Sequence, residues 1–373
     1  MDTKKMESYD VVIVGAGISG CVLAERFANN KQRVLIIEKR EHIGGNCFDY
    51  YNPDGILVSK YGPHYFHTND KDVFEYISRF TDWLPYEHRV ISHVEGKKVP
   101  VPVNIKTINT LFDLKLENKD DMVNWLKDNT ENIQNPKNSE ESALRRVGKI
   151  LYKKMFENYT IKQWDKHPKG LSPSVMDRIP VRDSFDDRYF TDTFQFVPSE
   201  GYTKIFENML SDENITVMLK TDWSLIKDKI CYKKLFYTGK IDSYFSEELG
   251  KLEYRSLKFE FETIDREFYQ EFAQENYPSL DVPYTRIVEY KRSTQQKHPK
   301  TTISREYPTW EGEPYYPVPS EVNQNKYKEY QKKADSLKEK NVYFVGRLAN
   351  YKYFNMDQAF KNALDLYNSI DKQ

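Results

Sequence analysis

The chain has little of what marks secreted, membrane-bound or nucleic-acid-binding proteins. Its 373 residues include only three cysteines, Cys21, Cys47 and Cys231, and no C-x-x-C pair. Cysteines this sparse exclude a disulfide scaffold and indicate reduced thiols in a reducing compartment. The formal net charge is only −1, so no overall field attracts nucleic acid or an acidic membrane surface.

Long hydrophobic runs and targeting signals are also missing. No stretch approaches the roughly 18 consecutive apolar residues of a membrane span, and residues 1–9 have no apolar signal-peptide core. We therefore expect a cytoplasmic protein without membrane insertion. There are no internal repeats, and the length predicts two or three domains. Aromatic residues are abundant instead, with 28 tyrosines and 21 phenylalanines.

The N-terminal segment has the pattern of a dinucleotide-binding βαβ unit. The apolar run at residues 11–14 predicts a buried parallel strand, and it leads into a G-x-G-x-x-G turn at residues 15–20. A helix is predicted over 21–28 and a second buried strand over 34–37. That second strand ends at Glu38.

Each element of this turn has a physical role. Gly15 permits the tight turn, Gly17 lets the backbone approach a pyrophosphate, and Gly20 allows close packing of helix on strand. The free N–H groups at the helix start attract phosphate charge. Glu38 lies where a carboxylate accepts a hydrogen bond from a ribose hydroxyl. A βαβ unit that binds no nucleotide is the structural alternative.

The residues after the ribose acid favour FAD over NAD. Residues 43–46 read Ile-Gly-Gly-Asn, which is a second glycine pair soon after Glu38. This resembles the FAD-dependent oxidase and mutase superfamily, in which the pair brings the backbone close to the cofactor phosphates.

Hydrophobic periodicity along the rest of the chain predicts both helical and sheet insertions. A loop is expected over 61–68, a hairpin over 89–103 and helices over 105–159. Further strands are predicted at 215–219, 235–239, 257–263, 286–290 and 342–347. Further helices are predicted at 70–80, 202–210, 326–340 and 357–370. The charge-rich helix at 326–340 is interpreted as a solvated face.

These elements predict an α/β fold: a discontinuous FAD-binding Rossmann-like domain with an inserted helical domain and an inserted antiparallel β-sheet domain. The predicted FAD-binding domain comprises residues 1–85, 192–242 and 320–373. The helical domain comprises 104–160, and the antiparallel sheet substrate domain comprises 86–103, 161–191 and 243–319.

Sequence blocks outside the glycine turn closely resemble the bacterial UDP-galactopyranose mutases. Residues 158–164 read Asn-Tyr-Thr-Ile-Lys-Gln-Trp, residues 178–182 Arg-Ile-Pro-Val-Arg and residues 185–190 Phe-Asp-Asp-Arg-Tyr-Phe. Further matching blocks follow the family order at 62–68, 283–287, 305–307, 315–317, 346–348 and 351–353. Because the blocks span nearly the whole chain, they are far more specific than the nucleotide fingerprint.

The resemblance implies an isomerase that interconverts the pyranose and furanose rings of UDP-galactose without net redox change. In that family reduced FAD acts as a nucleophile through its N5 atom, while UDP leaves and re-adds. By resemblance, Arg178 and Arg286 are the expected catalytic residues that hold the diphosphate. A guanidinium suits this task because its planar fork of donors grips phosphate oxygens bidentately. Ordinary surface ion pairs are the alternative for both arginines.

The resemblance also implies the other site residues, with core packing as the alternative for each aromatic one. The expected substrate-binding residues are Phe156, Tyr159, Thr160, Trp164, Tyr189, Tyr316, Tyr353 and Asn355. The expected cofactor-binding residues are Gly15, Gly17, Ser19, Gly20, Glu38, Lys39, Gly45, Asn46, His64, His67, Val217, Arg347, Met356 and Asp357. Asp357 is expected to cap the last helix, whose positive end would favour an anionic reduced flavin.

His64 and His67 lie in a loop that is expected to cross the flavin. Metal binding is the alternative, but no further His/Cys/Asp cluster accompanies them, so no metal is expected. Two positions depart from the family pattern. Asn355 replaces the usual Asp, which leaves the identity of the sugar open. Asp165 replaces the usual Gly, which is expected to stiffen the loop that closes over substrate.

Three classes of function remain open. The first is the mutase, acting on UDP-galactose or on a related nucleotide sugar of the N-acetylgalactosamine, fucose or arabinose type. The second is a flavin oxidoreductase, which would need an apolar substrate tunnel. The third is a nucleotide-sugar binder without catalytic activity. The expected partners are a UDP-sugar, an unidentified reductant for the flavin and a second copy of the chain in a homodimer, with no nucleic acid.

Overall fold

A five-stranded parallel sheet forms the centre of the dinucleotide-binding unit. The computed structural model describes residues 8–371. In spatial order the strands are Ile215–Met218, Val34–Ile37, Ser8–Val14, Cys231–Tyr237 and Val342–Phe344, and every neighbouring pair is parallel. The predicted strands at these positions are confirmed. Their apolar runs follow from burial on both faces, which removes the need for alternating polar residues.

Helices pack on both faces of this sheet. The helices Ile18–Asn29 and Met356–Asp371 cover one face together with Tyr202–Met209. The short helices Trp223–Ile226 and Ile241–Tyr244 contribute to the opposite face. The carboxyl ends of the parallel strands therefore remain open as a ligand crevice, as is general for doubly wound sheets.

A seven-stranded sheet forms the second layer of the molecule. Its order is Tyr316–Pro317, Tyr254–Ile264, Thr301–Thr309, Arg286–Glu289, Gln274–Asn276, Val90–Val94 and Lys97–Val101. The predicted hairpin is confirmed, since Val90–Val94 pairs with Lys97–Val101 across Glu95-Gly96. The expectation of a purely antiparallel sheet is wrong at one place, because Gln274–Asn276 runs parallel to Val90–Val94. The strand at 274–276 was not predicted from the sequence.

The helical insertion shares an apolar core with the hairpin of the seven-stranded sheet: Met122, Leu151 and Met176 belong to the same buried cluster as Val90 and Val101. Its elements are Ile105–Phe112, Lys119–Asn129, Ser139–Leu151, the π-helical turn Tyr152–Glu157, Asn158–Trp164 and Ser174–Asp177. Asparagine side chains cap the first three of these helices, as their preference for N-cap positions explains. The π-turn carries Phe156 toward the site; such turns often occur at functional sites.

The remaining elements are small sheets and short helices. The strands are Asp49–Tyr51, Leu57–Ser59, Phe66–Thr68, Trp83–Pro85 and Phe194–Pro198. The helices are Lys71–Ile77, Tyr290–Thr294 and Glu321–Ser336, with 3₁₀ turns at Gly45–Cys47, Pro168–Gly170, Lys227–Lys229 and Lys338–Lys340. In residues 8–371, no helix is both long and apolar enough to cross a bilayer.

Two sequence expectations need correction. The predicted loop at 61–68 ends in the strand Phe66–Thr68, which pairs with Phe194–Pro198. The charge-rich helix is more than a solvated face, because Tyr330 is fully buried and its hydroxyl donates to the Gly250 carbonyl at 2.9 Å. The domain boundaries remain our proposal. The core of the parallel sheet is separate and supports the boundary of the FAD-binding domain, whereas the helical insertion and the hairpin share one core.

Candidate active site

Glycines shape a cavity at the carboxyl ends of the parallel strands. Gly15 has φ +106°, and a Cβ there would lie 2.1 Å from Thr238 Oγ1. A Cβ on Gly45 would lie 2.9 Å from the Cα of Gly17. The two glycine segments thus bring bare backbone together beside a cavity of about 360 Å³. This is the close backbone approach that a dinucleotide pyrophosphate requires, so the residues present fit FAD.

Most of the predicted cofactor residues line this cavity, which we call the cofactor cavity. They are Gly15, Gly17, Ser19, Glu38, Lys39, Gly45, Asn46, His64, Arg347 and Met356. The Glu38 carboxylate accepts from the Ala16 N–H at 2.8 Å and from the Arg40 N–H at 2.9 Å. It therefore joins the glycine turn to the end of the second strand.

Four predicted cofactor residues lie elsewhere. Gly20 packs beneath the turn, where a Cβ would lie 2.0 Å from the Gly15 carbonyl oxygen. Val217 packs against the core from its strand. His67 lines the neighbouring cavity. Asp357 is not the N-cap, since the last helix begins at Met356.

The side chain of Asp357 faces the strand Phe66–Thr68 rather than its own helix end. Its Oδ2 accepts from Thr68 Oγ1 at 3.1 Å, while Oδ1 is buried without a partner among the described residues. Burial raises the pKa of this carboxyl. The capping contact at the helix start comes instead from Gln358, whose Oε1 accepts from the Asn355 N–H at 3.1 Å.

A second cavity of about 280 Å³ adjoins the first, and we call it the nucleotide cavity. Both predicted arginines and most of the predicted substrate residues line it: Arg178, Arg286, Phe156, Tyr159, Trp164, Tyr189, Tyr316, Tyr353 and Asn355. Thr160 is buried and is not part of the wall. Five residues line both cavities: Asn46, His64, Arg347, Asn355 and Met356.

Arg286 is backed by a buried carboxylate that the sequence analysis assigned no role. Arg286 and Glu306 lie opposite each other on neighbouring antiparallel strands. The Arg286 Nε lies 2.5 Å from Glu306 Oε2, and the Glu306 side chain is only 1% exposed. Burial opposes the positive charge, but the Glu306 carboxylate raises the pKa of Arg286 well above its usual value. The guanidinium is therefore fixed in charge and direction.

Arg178 follows the short helix Ser174–Asp177 and packs over the ring of Tyr353 at 4.7 Å. Arg347 lies 5.1 Å from the centroid of the same ring. Burial acts to raise the pKa of Tyr353, but the positive charges of Arg178, Arg347 and Arg286 together lower it. Within residues 8–371, no carboxylate pairs with Arg178. The site therefore holds excess positive charge that suits a diphosphate.

His64, in the loop before the strand Phe66–Thr68, has a lowered pKa, and His67, on that strand, is held by other side chains. Burial lowers the pKa of His64 to about 4, and the charge of Arg347 adds to this effect. The Nδ1 of His67 lies 3.1 Å from Asp192 Oδ2, and its ring stacks on Phe190 with 3.5 Å between centroids. In the described part of the chain, no group of three or more His, Cys, Asp or Glu side chains could hold a metal ion.

Asp165 takes the left-handed conformation that ends the helix Asn158–Trp164, with φ 49° and ψ 37°. This explains why glycine is favoured there, because a side chain is strained in that region. The carboxylate accepts a 2.7 Å hydrogen bond from Trp310 Nε1. Asp165, which stands where the family usually has Gly, thus ties the end of the helix Asn158–Trp164 to Trp310, just after the strand Thr301–Thr309; we call this hydrogen bond the tether.

Several lining residues were missed by sequence reasoning. Gln274 and Asn276 lie two positions apart on an unpredicted strand, so both side chains point to the same face. His88 and Tyr65 stack with 3.9 Å between ring centroids in the cavity wall. The pairing of Glu306 with Arg286 had a possible signal, since the 305–307 block was already recognised as part of the family pattern.

Comparison with known proteins places this geometry among nucleotide-sugar mutases. The family described as UDP-galactopyranose mutase matches residues 154–353, and an NAD(P)-binding Rossmann-like domain matches residues 13–80. A Klebsiella pneumoniae protein described as a probable UDP-galactopyranose mutase is 38% identical, covering 99% of this chain and 97% of its own. The dTDP-fucopyranose mutase of Escherichia coli is 36% identical, covering 95% of this chain and 96% of its own.

A solved structure shares the fold. The crystal structure of a reduced UDP-galactopyranose mutase superposes with a TM-score of 0.78 at 16% identity, covering 98% of this chain and 96% of that one. At that identity the likeness shows the architecture alone. It agrees with the predicted α/β fold with helical and sheet insertions.

Proposed function

This chain belongs to the UDP-galactopyranose mutase family, and on that premise we propose that Arg178 and Arg286 hold the diphosphate of its substrate. The enzyme is an isomerase that interconverts UDP-galactopyranose and UDP-galactofuranose, and it depends on FAD. When bound in its reduced form, FAD supplies the nucleophilic N5 that the ring exchange needs, without net redox change.

The observation that carries the proposal is the cluster of guanidinium groups where the two cavities meet. The charges of Arg178, Arg286 and Arg347 all lower the pKa of Tyr353, and of these three arginines only Arg286 has a buried carboxylate partner within residues 8–371. Negative charge grows on the diphosphate as its bond to the anomeric carbon breaks. Preorganised donors stabilise that charge without reorganising during the reaction. The same donors keep the leaving UDP in place for recapture.

Aromatic side chains form the rest of the nucleotide cavity. Phe156 and Trp164 are each 4% exposed, so they are fixed by packing and give a rigid apolar wall. Tyr159 lies between them on the same stretch of helix and lines the cavity. A wall of this kind suits stacking of the uracil ring. The hydroxyls of Tyr189 and Tyr316 supply further donors toward the phosphates.

FAD fits the cofactor cavity through backbone and helix ends. Gly17 and Gly45 provide the close approach to the pyrophosphate, and Arg347 lines both cavities as a further cation. The start of the helix Met356–Asp371 lies at the junction, since Asn355 and Met356 line both cavities. The positive end of that helix stabilises negative charge on the flavin ring.

A second substrate is favoured by one relative. The E. coli protein of 36% identity is described as a dTDP-fucopyranose mutase, and Asn355 stands at the junction of the two cavities in this chain. An amide there donates as well as accepts hydrogen bonds, whereas a carboxylate only accepts. dTDP-fucose is therefore the alternative substrate of the same reaction.

We also propose that the enzyme works in the cytoplasm as a homodimer with a separate reductant for its flavin. Family membership supports the dimer, and the sparse, unpaired cysteines support a reducing compartment. Light scattering of the purified protein tests the dimer, and a monomeric mass would overturn it.

The mutase activity is tested by incubating the purified protein with UDP-galactofuranose, with and without dithionite. Anion-exchange chromatography separates the two ring forms. We expect UDP-galactopyranose only in the reduced samples, and dTDP-fucofuranose is run in parallel. Oxygen consumption in step with turnover would instead identify an oxidoreductase, and tight UDP binding without conversion of either sugar would identify a binder.

A further inference from the structure

The side chain of Lys162 ends inside a ring of backbone carbonyls. Its Nζ donates to the carbonyl oxygens of Tyr277 at 2.5 Å, Ser279 at 2.9 Å, Val282 at 2.9 Å and Tyr284 at 2.8 Å. All four oxygens belong to one segment, residues 277–284, which we call the carbonyl loop. The loop is closed at its base by the Tyr277 N–H, which donates to the Thr285 carbonyl at 2.9 Å.

This arrangement is not an ordinary ion pair. Within residues 8–371, no carboxylate lies within salt-bridge distance of the Lys162 ammonium. The carbonyl dipoles provide all of its compensation. Converging carbonyl oxygens repel each other, and removing the cation takes away the hydrogen bond that holds each of them, although Ser279 keeps a long contact at 3.4 Å from the Val282 N–H. The loop conformation therefore depends on a cation at its centre.

The Lys162 ammonium joins two segments of the chain whose neighbouring residues line the nucleotide cavity. Lys162 lies on the helix Asn158–Trp164, whose Tyr159, Gln163 and Trp164 line the cavity. The carbonyl loop connects Asn276 to Arg286, which line it from the sheet. None of the loop residues themselves lines the cavity.

A second group fixes the same helix end. Arg255 is 2% exposed, and its Nε donates to the Gln163 carbonyl at 3.0 Å. A further nitrogen of Arg255 lies 3.4 Å from the Lys162 carbonyl. The backbone of Lys162 is thus held by the sheet on one side, while its side chain holds the loop on the other.

We propose that Lys162 is a positioning residue whose ammonium group keeps Arg286 and Asn276 in register with the helix Asn158–Trp164. The group acts through the carbonyl loop and does not touch the ligand. The expected effect of Lys162 on UDP binding rests on the proposed function, whereas its expected effect on the conformation of the carbonyl loop does not.

The first test uses Lys162→Met and Lys162→Ala, with Lys166→Met as the matched control. Lys166 is four residues further along and pairs with Glu253 at 3.2 Å outside the cavity. In ligand-free protein, amide hydrogen exchange over residues 277–285 is expected to rise in both Lys162 variants and to stay unchanged in the control. Ammonium or methylammonium ions should restore slow exchange in Lys162→Ala, while tetramethylammonium, which is too large for the ring, should not. Unchanged loop exchange, or no rescue by either small cation, would overturn the proposal.

The second test measures UDP affinity by calorimetry. We expect the Lys162 variants to bind UDP about tenfold more weakly, with KM for UDP-galactofuranose raised more than kcat is lowered and with flavin content unchanged. If either variant fails to fold, the wild type can be tested instead. Saturating the wild type with UDP should slow amide hydrogen exchange in the carbonyl loop, although the loop does not line the cavity. Wild-type loop exchange that ignores UDP would contradict the proposal, whereas a wild type that binds no UDP at all would contradict the proposed function instead.

Discussion

Arg286 and Glu306 face each other across two antiparallel strands, with the guanidinium Nε 2.5 Å from the carboxylate Oε2. The carboxylate lies beneath the site and has a second oxygen without a partner among the described residues. It therefore orients Arg286 at the cost of cancelling part of the positive charge that a diphosphate would meet.

Replacing that carboxylate by an amide separates the two effects. Glu306→Gln should lower the unfolding free energy of the ligand-free protein by about 1–3 kcal/mol, because it leaves the partly buried Arg286 guanidinium without its counter-charge. UDP then supplies the missing negative charge, so the rise in melting temperature on adding UDP should be larger than in the wild type. Thermal unfolding with and without UDP measures this, and a smaller UDP-induced rise would show that Glu306 does not offset the charge of Arg286.

Arg178 has no carboxylate partner in the part of the chain that the structure describes, and its function should be sensitive to geometry as well as charge. We expect Arg178→Lys to lower kcat/KM for UDP-galactofuranose by about 10²-fold to 10³-fold, because lysine cannot donate the planar pair of hydrogen bonds. The matched control is Arg182→Lys in the same segment, where Arg182 pairs with Asp186 at 2.8 Å. Equal losses in both variants would indicate damage to the segment rather than a role at the diphosphate.

The contact between Gly17 and Gly45 predicts a specific loss of flavin. A methyl group at Gly45 would lie 2.9 Å from the Gly17 Cα, so Gly45→Ala should purify with little bound FAD. Gly55→Ala is the control, because Gly55 also has a positive φ, +79°, but has no atom within 4 Å of the added Cβ. Both variants bear about 1–2 kcal/mol of backbone strain. They differ in that only the methyl group added at Gly45 comes close to the backbone of Gly17. Flavin absorbance per protein measures the outcome, and equal retention would rule out the proposed phosphate contact.

The tether from Trp310 to Asp165 should slow movement of the helix end. Asp165→Ala keeps the strained left-handed backbone and loses the hydrogen bond, whereas Asp165→Gly loses the bond but relieves the strain. We expect the alanine variant to be about 1 kcal/mol less stable than the glycine variant and both to release UDP faster than the wild type. Stopped-flow displacement of UDP checks the second point, and unchanged release rates would mean that the tether does not restrain the loop.

Three histidines whose pKa values are lowered by burial, His42, His64 and His88, make the stability depend on pH. Burial lowers the pKa of His64 to about 4 and that of His88 to about 3, while an unfolded histidine titrates near 6.5. Above about pH 6.5 each histidine is neutral in both the folded and the unfolded chain, so these residues do not make the stability depend on pH. Below that pH the unfolded chain binds protons that the folded chain does not, so stability falls as pH drops, by at most about 1.4 kcal/mol per pH unit for each histidine.

Denaturant titrations between about pH 7 and pH 5 test this dependence. His88→Asn should reduce the slope by at most about 1.4 kcal/mol per pH unit, because the proton of His88 is then absent from both the folded and the unfolded chain. A stability that is flat over this range in the wild type would contradict the lowered pKa values of these histidines.

Local patterns predicted the parallel sheet and the glycine turn, whereas the roles of the two arginines come from the family resemblance and remain a prediction. Strand, turn and strand follow from short-range apolar runs and glycine chemistry, which the sequence displays directly. The pairing of Arg286 with Glu306 depends instead on the register of two strands, and the ring around Lys162 depends on the path of a loop far along the chain. The sequence also failed to predict a local contact at Asp357. The helix begins at Met356, one residue earlier than capping by Asp357 would require, and the Asp357 carboxylate accepts a hydrogen bond from Thr68 instead of capping the helix.

The central sheet is assembled from distant parts of the chain. Its strand Ser8–Val14 pairs with Cys231–Tyr237, which in turn pairs with Val342–Phe344. The helix Met356–Asp371 packs on the helix Ile18–Asn29. During synthesis the glycine turn therefore leaves the ribosome long before the strand and helix that complete its surroundings. Nascent chains arrested before residue 342 should not retain flavin, whereas released chains should, so cofactor capture becomes the final step of biogenesis.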